Sequence, residues 1–196
     1  MVRSAHVTRW CPDAIGRLEW RLIGYVQRMA RFESTSVSQA DVPAPREEIW
    51  AVVTSPDCLA QLTPLIKRIT ADGDRWCWQL KSISALGMHV EPSFTEYMSF
   101  EEGRRITFEH RPPSGNAERA GAKGTYTLAD RLDGGTHLAV NITLHVDLPL
   151  PAVSRRLVER VMESMMARTG ERFAGNLYAR LGIVGGSVPT RVRAGK

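Results

Sequence analysis

Few side chains in this sequence stand where they could do chemistry, and the most distinctive is Glu96. Over Met88–Phe100, strand alternation groups Glu96 with Met88, Val90, Phe94, Met98 and Phe100, opposite His89, Glu91, Ser93, Thr95 and Tyr97. A carboxyl buried among apolar groups is driven toward its neutral form. There it can act as an acid or anchor a ligand hydroxyl. The competing readings are a bulge near Pro92 that turns Glu96 outward, and an ion pair with an arginine. Tyr126, on a strand over 124–132, presents its hydroxyl on the same inner side. Glu96 and Tyr126 are therefore the catalytic candidates, both for proton transfer.

The other reactive residue types do not converge. Of five histidines, His89 and His145 fall on strand faces opposite the apolar stripes, as do Glu91 and Glu109, and read as solvent-facing. His110 and His137 sit at strand ends, and His6 lies near the start. A metal site needs three or four ligands meeting at one point, so no metal and no cofactor is expected. Cys11, Cys58 and Cys77 are scattered without CxxC spacing; they give no disulfide framework and suggest a reducing compartment. No GxSxG, HExxH or P-loop pattern occurs.

The elements that must position these residues are legible from periodicity. Ala14–Met29 has helical spacing, with Ile15, Leu18, Leu22, Ile23, Val26 and Met29 on one stripe and Arg17, Arg21 and Arg28 opposite. Three readings are open for residues 1–28: a docking helix, a weak membrane-surface helix, or an extension upstream of a start at Met29. Phe32–Val42 reads as a polar edge strand. Pro45 with Glu47 and Glu48 opens a short helix, and Ser55-Pro56-Asp57 opens a second. Strands follow over 65–71, 75–82, 88–100, 105–110, 124–132 and 136–148, with a loop at 111–122 and a hairpin turn at Asp133-Gly134-Gly135. Pro149 and Pro151 end the sheet, and the chain is helical to Leu181. Gly170 inside that helix costs about 1 kcal/mol against Ala, which points to a bend or close packing there.

Composition bounds the class. The chain has 196 residues, 43% hydrophobic and 24% charged, as in ordinary globular proteins, and no apolar run long enough for a membrane helix. The net charge of +5 resides in the ends: residues 1–28 and 182–196 each carry +3 and the rest −1. A phosphate-binding face needs basic residues concentrated on the folded part, so no nucleic-acid partner is expected. The domain expectation is an N-terminal extension over 1–28, helical or disordered, one ligand-binding domain over 29–181, and a disordered basic tail over 182–196. The oligomeric state is not legible, and the expected location is cytoplasmic.

The order is strand, two short helices, six strands and one long helix. It implies an α+β fold, a curved seven-stranded antiparallel sheet wrapped around the C-terminal helix, with two short helices between strands 1 and 2. A single helix ~10–12 Å across cannot fill the face of so wide a sheet, so side chains must plug the remainder or a cavity is left. The segment Pro45-Arg-Glu-Glu-Ile-Trp-Ala-Val-Val-Thr-Ser-Pro-Asp, then Leu59-Ala-Gln-Leu and Pro64, the Thr95-Glu96-Tyr97 region, the Gly134-Gly135-Thr136 hairpin and the long last helix together resemble the START/polyketide-cyclase-like (SRPBCC) superfamily. The resemblance spans about residues 30 to 181. It implies a helix-grip fold enclosing an apolar pocket, as in lipid and sterol carriers, hormone receptors and aromatase/cyclases.

The expected pocket lining is Trp76, Trp78, Leu80, Met88, Val90, Phe94, Glu96, Ile106, Phe108, Tyr126, Leu128, Val140, Ile142, Leu144, Met162, Met165, Met166 and Phe173. Aromatic walls and adaptable Met side chains suit rings or acyl chains. Leu86-Gly87 and the 111–122 loop are the expected rim. The functional expectation is binding, transport or sensing of a small hydrophobic, lipid-like or polycyclic ligand. The alternatives are a polyketide cyclase/aromatase or dehydratase-type enzyme, and an adaptor that associates with a membrane or a protein complex.

Overall fold

The computed structural model describes residues 29–85, 87–183 and 190–192. The helix expected over 14–29 lies outside them except for Met29, as does most of the C-terminal tail. The chain forms strand β1 (Ala30–Val42), helices α1 (Arg46–Val53) and α2 (Pro56–Leu62), and strands β2 (Ile66–Asp72) and β3 (Arg75–Leu80). Then come β4 (Ile83–Ala85), β5 (Met88–Val90), β6 (Ser93–Glu101), β7 (Arg105–His110), β8 (Ala120–Asp130) and β9 (Thr136–Leu148). Helix α3 (Arg155–Arg180) follows, and β10 (Thr190–Val192) closes the series.

Seven strands make one open antiparallel sheet in the order β1-β9-β8-β7-β6-β3-β2, and β10 adds three residues beyond β1. This is the expected helix-grip architecture: α3 packs against β1 and α2 on the face that the sheet turns inward. β10 pairs Val37, Ser38 and Gln39 with Val192, Arg191 and Thr190. The three residues of β10 fall in the segment expected as a disordered tail, and they instead cover part of β1's free edge.

Local chemistry explains the elements. Ser55 caps α2 by accepting a hydrogen bond from the Cys58 N–H, with Pro56 in the first turn. Pro92 breaks what periodicity joins as one strand over 88–100. Proline lacks the N–H that a ladder requires, so β5 folds back on β4 as a separate hairpin and β6 begins at Ser93. The register from Arg75↔Tyr97 to Gln79↔Ser93 is unbroken, so no bulge turns Glu96 outward. The loop expected over 111–122 is shorter, because β8 starts at Ala120. Its small residues Ala120 and Ala122 are buried rather than looped out.

Two corners tie the sheet to its helices. Thr136, fully buried, donates its hydroxyl to the Ala44 carbonyl at 2.8 Å. A Cβ on Gly135 would stand 2.8 Å from the Val42 carbonyl oxygen, so only glycine fits there. Asn176 of α3 donates from Nδ2 to the Leu62 carbonyl at the end of α2, at 2.9 Å. Gly170 is not explained by close packing, since a Cβ built there meets no atom within 4 Å. Cys58 is a free thiol, whereas Cys77 is disulfide-bonded.

Candidate functional site

The inner face of the sheet and the middle of α3 enclose a cavity of about 250 Å³. Its wall is built from residues of seven strands: Ser36, Ser38, Ala40 and Val42 of β1, Ile66 of β2, Trp78 and Leu80 of β3, and Phe94, Glu96 and Met98 of β6. Phe108 of β7, Ala122 and Tyr126 of β8, and Leu138, Val140, Ile142 and Leu144 of β9 complete the sheet side. From α3 come Met166, Ala167, Thr169, Gly170, Glu171, Phe173, Ala174, Leu177 and Tyr178. A second, almost wholly apolar cavity of about 100 Å³ adjoins it, lined by Val90, Val158, Val161, Met162, Met165 and neighbours. Leu65, Leu80, Phe94, Leu144 and Met166 line both cavities and form the partition.

Most of the expected lining residues therefore border one cavity or the other. Trp76, Ile106 and Leu128 do not. They are packed core residues that line neither cavity, with Trp76 wedged between Trp78 and Phe100 at ring separations of 6.1 and 6.0 Å. Met88 lies on β5.

β1 carries the part of the wall that sequence reading missed. Its composition is that of a polar edge strand, yet Phe32, Ala40 and Val42 share parity with Ser34, Ser36 and Ser38. Since Phe32 and Val42 are buried, the serines between them must turn inward as well. The expected rim is also displaced. Of the described part of Leu86-Gly87 and the 111–122 loop, only Ala122 borders the larger cavity, and it does so from within β8. The exposed lining residues are Gln39, Gly170 and Glu171, so the mouth opens between β1 and α3.

Glu96 is the chemical centre of the wall, with only 2% of its surface exposed. It sits opposite Trp76 in the ladder and diagonal to Trp78, whose ring stacks on Phe94 at 6.4 Å with 16° between planes. Burial drives the Glu96 carboxyl well above the usual carboxylate range, and the nearby Trp78 indole offsets this only in part. Glu96 Oε2 and Trp78 Nε1 are both buried and meet no partner at full hydrogen-bond geometry, but the indole lies close enough to the carboxyl to favour its charged form. Tyr126 packs against Phe108 at 5.8 Å, and its hydroxyl is shifted upward by burial and then by the Glu96 charge.

The remaining titratable candidates lie apart. His89 accepts or donates to Ser84 at 2.8 Å on the surface, Glu91 bonds Ser82, and Glu109 pairs with Arg111 at 3.7 Å. His145, expected to face solvent, is instead half-buried with its Nε2 unpartnered, and it borders the smaller cavity. Among the described residues no group of His, Cys, Asp and Glu could hold a metal ion, and no helix is long and apolar enough to cross a membrane.

A sheet gripping a long helix over an apolar void defines a helix-grip protein, and comparison with solved structures agrees. The fold is shared with a START superfamily protein from Mycobacterium smegmatis (17% identity, 76% of this chain and 97% of that one, TM-score 0.55). It is shared too with the Zhui aromatase/cyclase from Streptomyces sp. R1128 (18% identity, 81% and 99% covered, TM-score 0.52) and with a protein from Thermus thermophilus (16% identity, 75% and 96% covered, TM-score 0.55). No curated protein sequence matches the chain. The chain belongs to the polyketide cyclase / dehydrase and lipid transport family, whose pattern matches residues 29–182. It is thus an SRPBCC-type protein.

Proposed function

We propose that this protein is a non-catalytic carrier or sensor that encloses a small hydrophobic ligand, lipid-like or polycyclic, between the sheet and α3. The observation that carries the reading is the pair of adjoining cavities, about 250 and 100 Å³, whose walls are overwhelmingly apolar. Apolar surface buried on binding contributes roughly 25 cal/mol per Å², so such walls supply affinity and a few polar groups supply orientation. Native mass spectrometry of protein purified from its own host tests this. A retained small molecule of defined stoichiometry supports the reading. A persistently empty protein that also fails to take up polycyclic fluorophores counts against it.

A second reading is an enzyme of the cyclase/aromatase or dehydratase type, and one feature favours it. Glu96, its carboxyl pushed toward the neutral form by burial, shares the cavity with Tyr126, so a reactive chain folded there would meet two proton-transfer groups. Glu96→Gln separates the two readings. Turnover of a candidate polyketide-like substrate should collapse under the enzymatic reading while ligand uptake survives; a binder keeps uptake and has no turnover to lose.

A further inference from the structure

The two cavities lie end to end, and two elements measure them independently. On α3 the smaller cavity begins at Val158 and the larger ends at Tyr178, with Met166 shared between them. On β9 the larger takes Leu138, Val140 and Ile142, the smaller takes Val146 and Leu148, and Leu144 is shared. At ~1.5 Å per helical residue and ~3.3 Å per strand residue, each element gives a combined length of roughly 30 Å. Polarity is graded along that length. Apart from His145, every residue lining the smaller cavity is apolar. The larger carries Ser36, Ser38 and Gln39 on β1 and Thr169 on α3, next to the mouth marked by Gln39, Gly170 and Glu171. These four polar side chains are half-buried or exposed, and none is engaged by another described residue through a side-chain hydrogen bond. We propose that the occupant is a single-chain amphiphile: its neutral, hydroxyl-bearing head lies at the mouth against Ser36, Ser38 and Thr169, and its unbranched tail runs past Leu144 and Met166 into the smaller cavity. The inference deepens the binding reading above and rests on it.

Charge decides the head. Among the described residues lining the larger cavity there is no Lys, Arg or His; Arg168 and Arg172 of α3 lie outside the lining, and Glu171 stands at the mouth. A carboxylate or phosphate head would meet Glu171 without a counter-charge from the wall. A cationic head gains only a solvent-exposed pair with Glu171, which contributes little. Hydroxyls both donate and accept, and so do the serine and threonine hydroxyls and the Gln39 amide that would face them. Shape decides the tail. A rigid polycycle occupies one cavity and leaves the other empty, whereas a flexible chain buries apolar surface against both walls. The unbranched Met166 side chain is adaptable enough to let that chain pass.

Titration calorimetry at pH 7 on the full chain tests this with five probes kept below their aggregation concentrations: 1-octanoyl, 1-decanoyl and 1-dodecanoyl glycerol, dodecanoate and pyrene. Each added pair of methylenes should tighten glyceride binding about tenfold. Dodecanoyl glycerol should also exceed dodecanoate and pyrene by about tenfold. Met165→Trp, which fills the smaller cavity, should remove the gain with tail length. Should that variant fail to fold, Val161→Phe narrows the same cavity. Ser36→Ala combined with Ser38→Ala should erase the advantage of dodecanoyl glycerol over dodecanoate. Affinity flat with tail length, tighter binding of pyrene or dodecanoate, or a length dependence that survives filling of the smaller cavity overturns the inference and leaves the binding reading standing. Binding of none overturns both.

Discussion

His110 and His145, from neighbouring parts of β7 and β9, lie with ring centroids 4.8 Å apart, and Glu118 meets His110 Nε2 at 2.9 Å. Glu118 also receives the Thr95 N–H and the Thr95 hydroxyl, both at 2.7 Å. Its carboxylate thus takes the place that a strand carbonyl would fill where β7 ends. Gly121 makes room for this: a Cβ there would stand 2.3 Å from the His110 ring. The cluster ties the 111–119 connection to the sheet, and its charges set the acid limb of stability.

Stability should fall as pH drops through the histidine range and again below the ordinary carboxylate value, with one group behind each loss. Burial lowers the His145 pKa from its usual 6.5; Arg31 and His110 push the same way, while Asp147 and Glu33 oppose them. The folded state therefore binds fewer protons there than the unfolded chain, so stability rises with pH up to about 6.5 and is lost below it. Glu118 adds a second loss. Burial raises its pKa, but the bonds from His110 and Thr95 overcome this and leave it below 4.5, so its contribution fades as pH falls past that value. Thermal melts from pH 7.5 to 4 should show a steep acid limb, and His145→Phe should flatten its upper part. An unchanged slope between pH 7 and 5.5 would exclude His145 as the cause.

Glu96 acts on the opposite limb. Its pKa is raised by burial, so the folded state holds a proton that the unfolded chain releases near 4.5, and stability is lost as pH rises above that value. The groups facing it are Trp78 on β3, His110 opposite on β7 and Tyr126 on β8. Glu96→Gln removes the titration, so the variant should gain on the parent protein as pH climbs from 5 to 9. Paired melts at several pH values measure the gain. A difference between the two proteins that does not vary with pH would mean that Glu96 is ionised in the native state.

Much of this was legible from residue types and spacing. The inward set on β6 followed from alternation through Phe94, Glu96 and Met98, because a half-buried strand has no other way to hide three apolar or neutral groups. The Gly134-Gly135-Thr136 signature has a local cause in the tuck of Gly135 under Val42 and the Thr136 bond to Ala44. The polar wall on β1 was hidden because serine composition outweighed parity. The mouth was hidden because it depends on where α3 crosses β1, which no local pattern encodes. The position of His145 depends on β7 and β8 parting beyond the Phe108↔Gly124 pair, a tertiary event.

Thr136→Val keeps the shape of the side chain and removes its hydroxyl. The Ala44 carbonyl, in the turn between β1 and α1, then loses its 2.8 Å partner in a fully buried setting. The expected cost is about 1–3 kcal/mol, read from chemical denaturation with an unchanged m-value. A cost below about 0.5 kcal/mol would mean that water reaches the carbonyl instead.

Met166 belongs to the partition between the two cavities. Met166→Ala should join them, at a stability cost of about 2 kcal/mol for a half-buried side chain. A series of neutral alkyl ketones should then shift its affinity optimum to longer chains relative to the parent protein. An unmoved optimum would argue that a ligand never crosses the partition.

The two glycines of α3 make a final controlled pair. Neither Gly170 nor Gly175 has an atom within 4 Å of a built Cβ, and both are exposed helix-interior positions. Each change to Ala should therefore stabilise the protein by about 1 kcal/mol through helix propensity and a less flexible unfolded chain. Only Gly170 borders the cavity, beside Glu171 at the mouth. Gly170→Phe should slow pyrene uptake and weaken its binding, whereas Gly175→Phe should leave both unchanged. Equal effects at the two positions would place the entrance elsewhere than between β1 and α3. By contrast, a Cβ at Gly124 would lie 2.0 Å from the Asn141 carbonyl oxygen. Gly124→Ala must then push β8 and β9 apart, at a cost of about 3 kcal/mol or more.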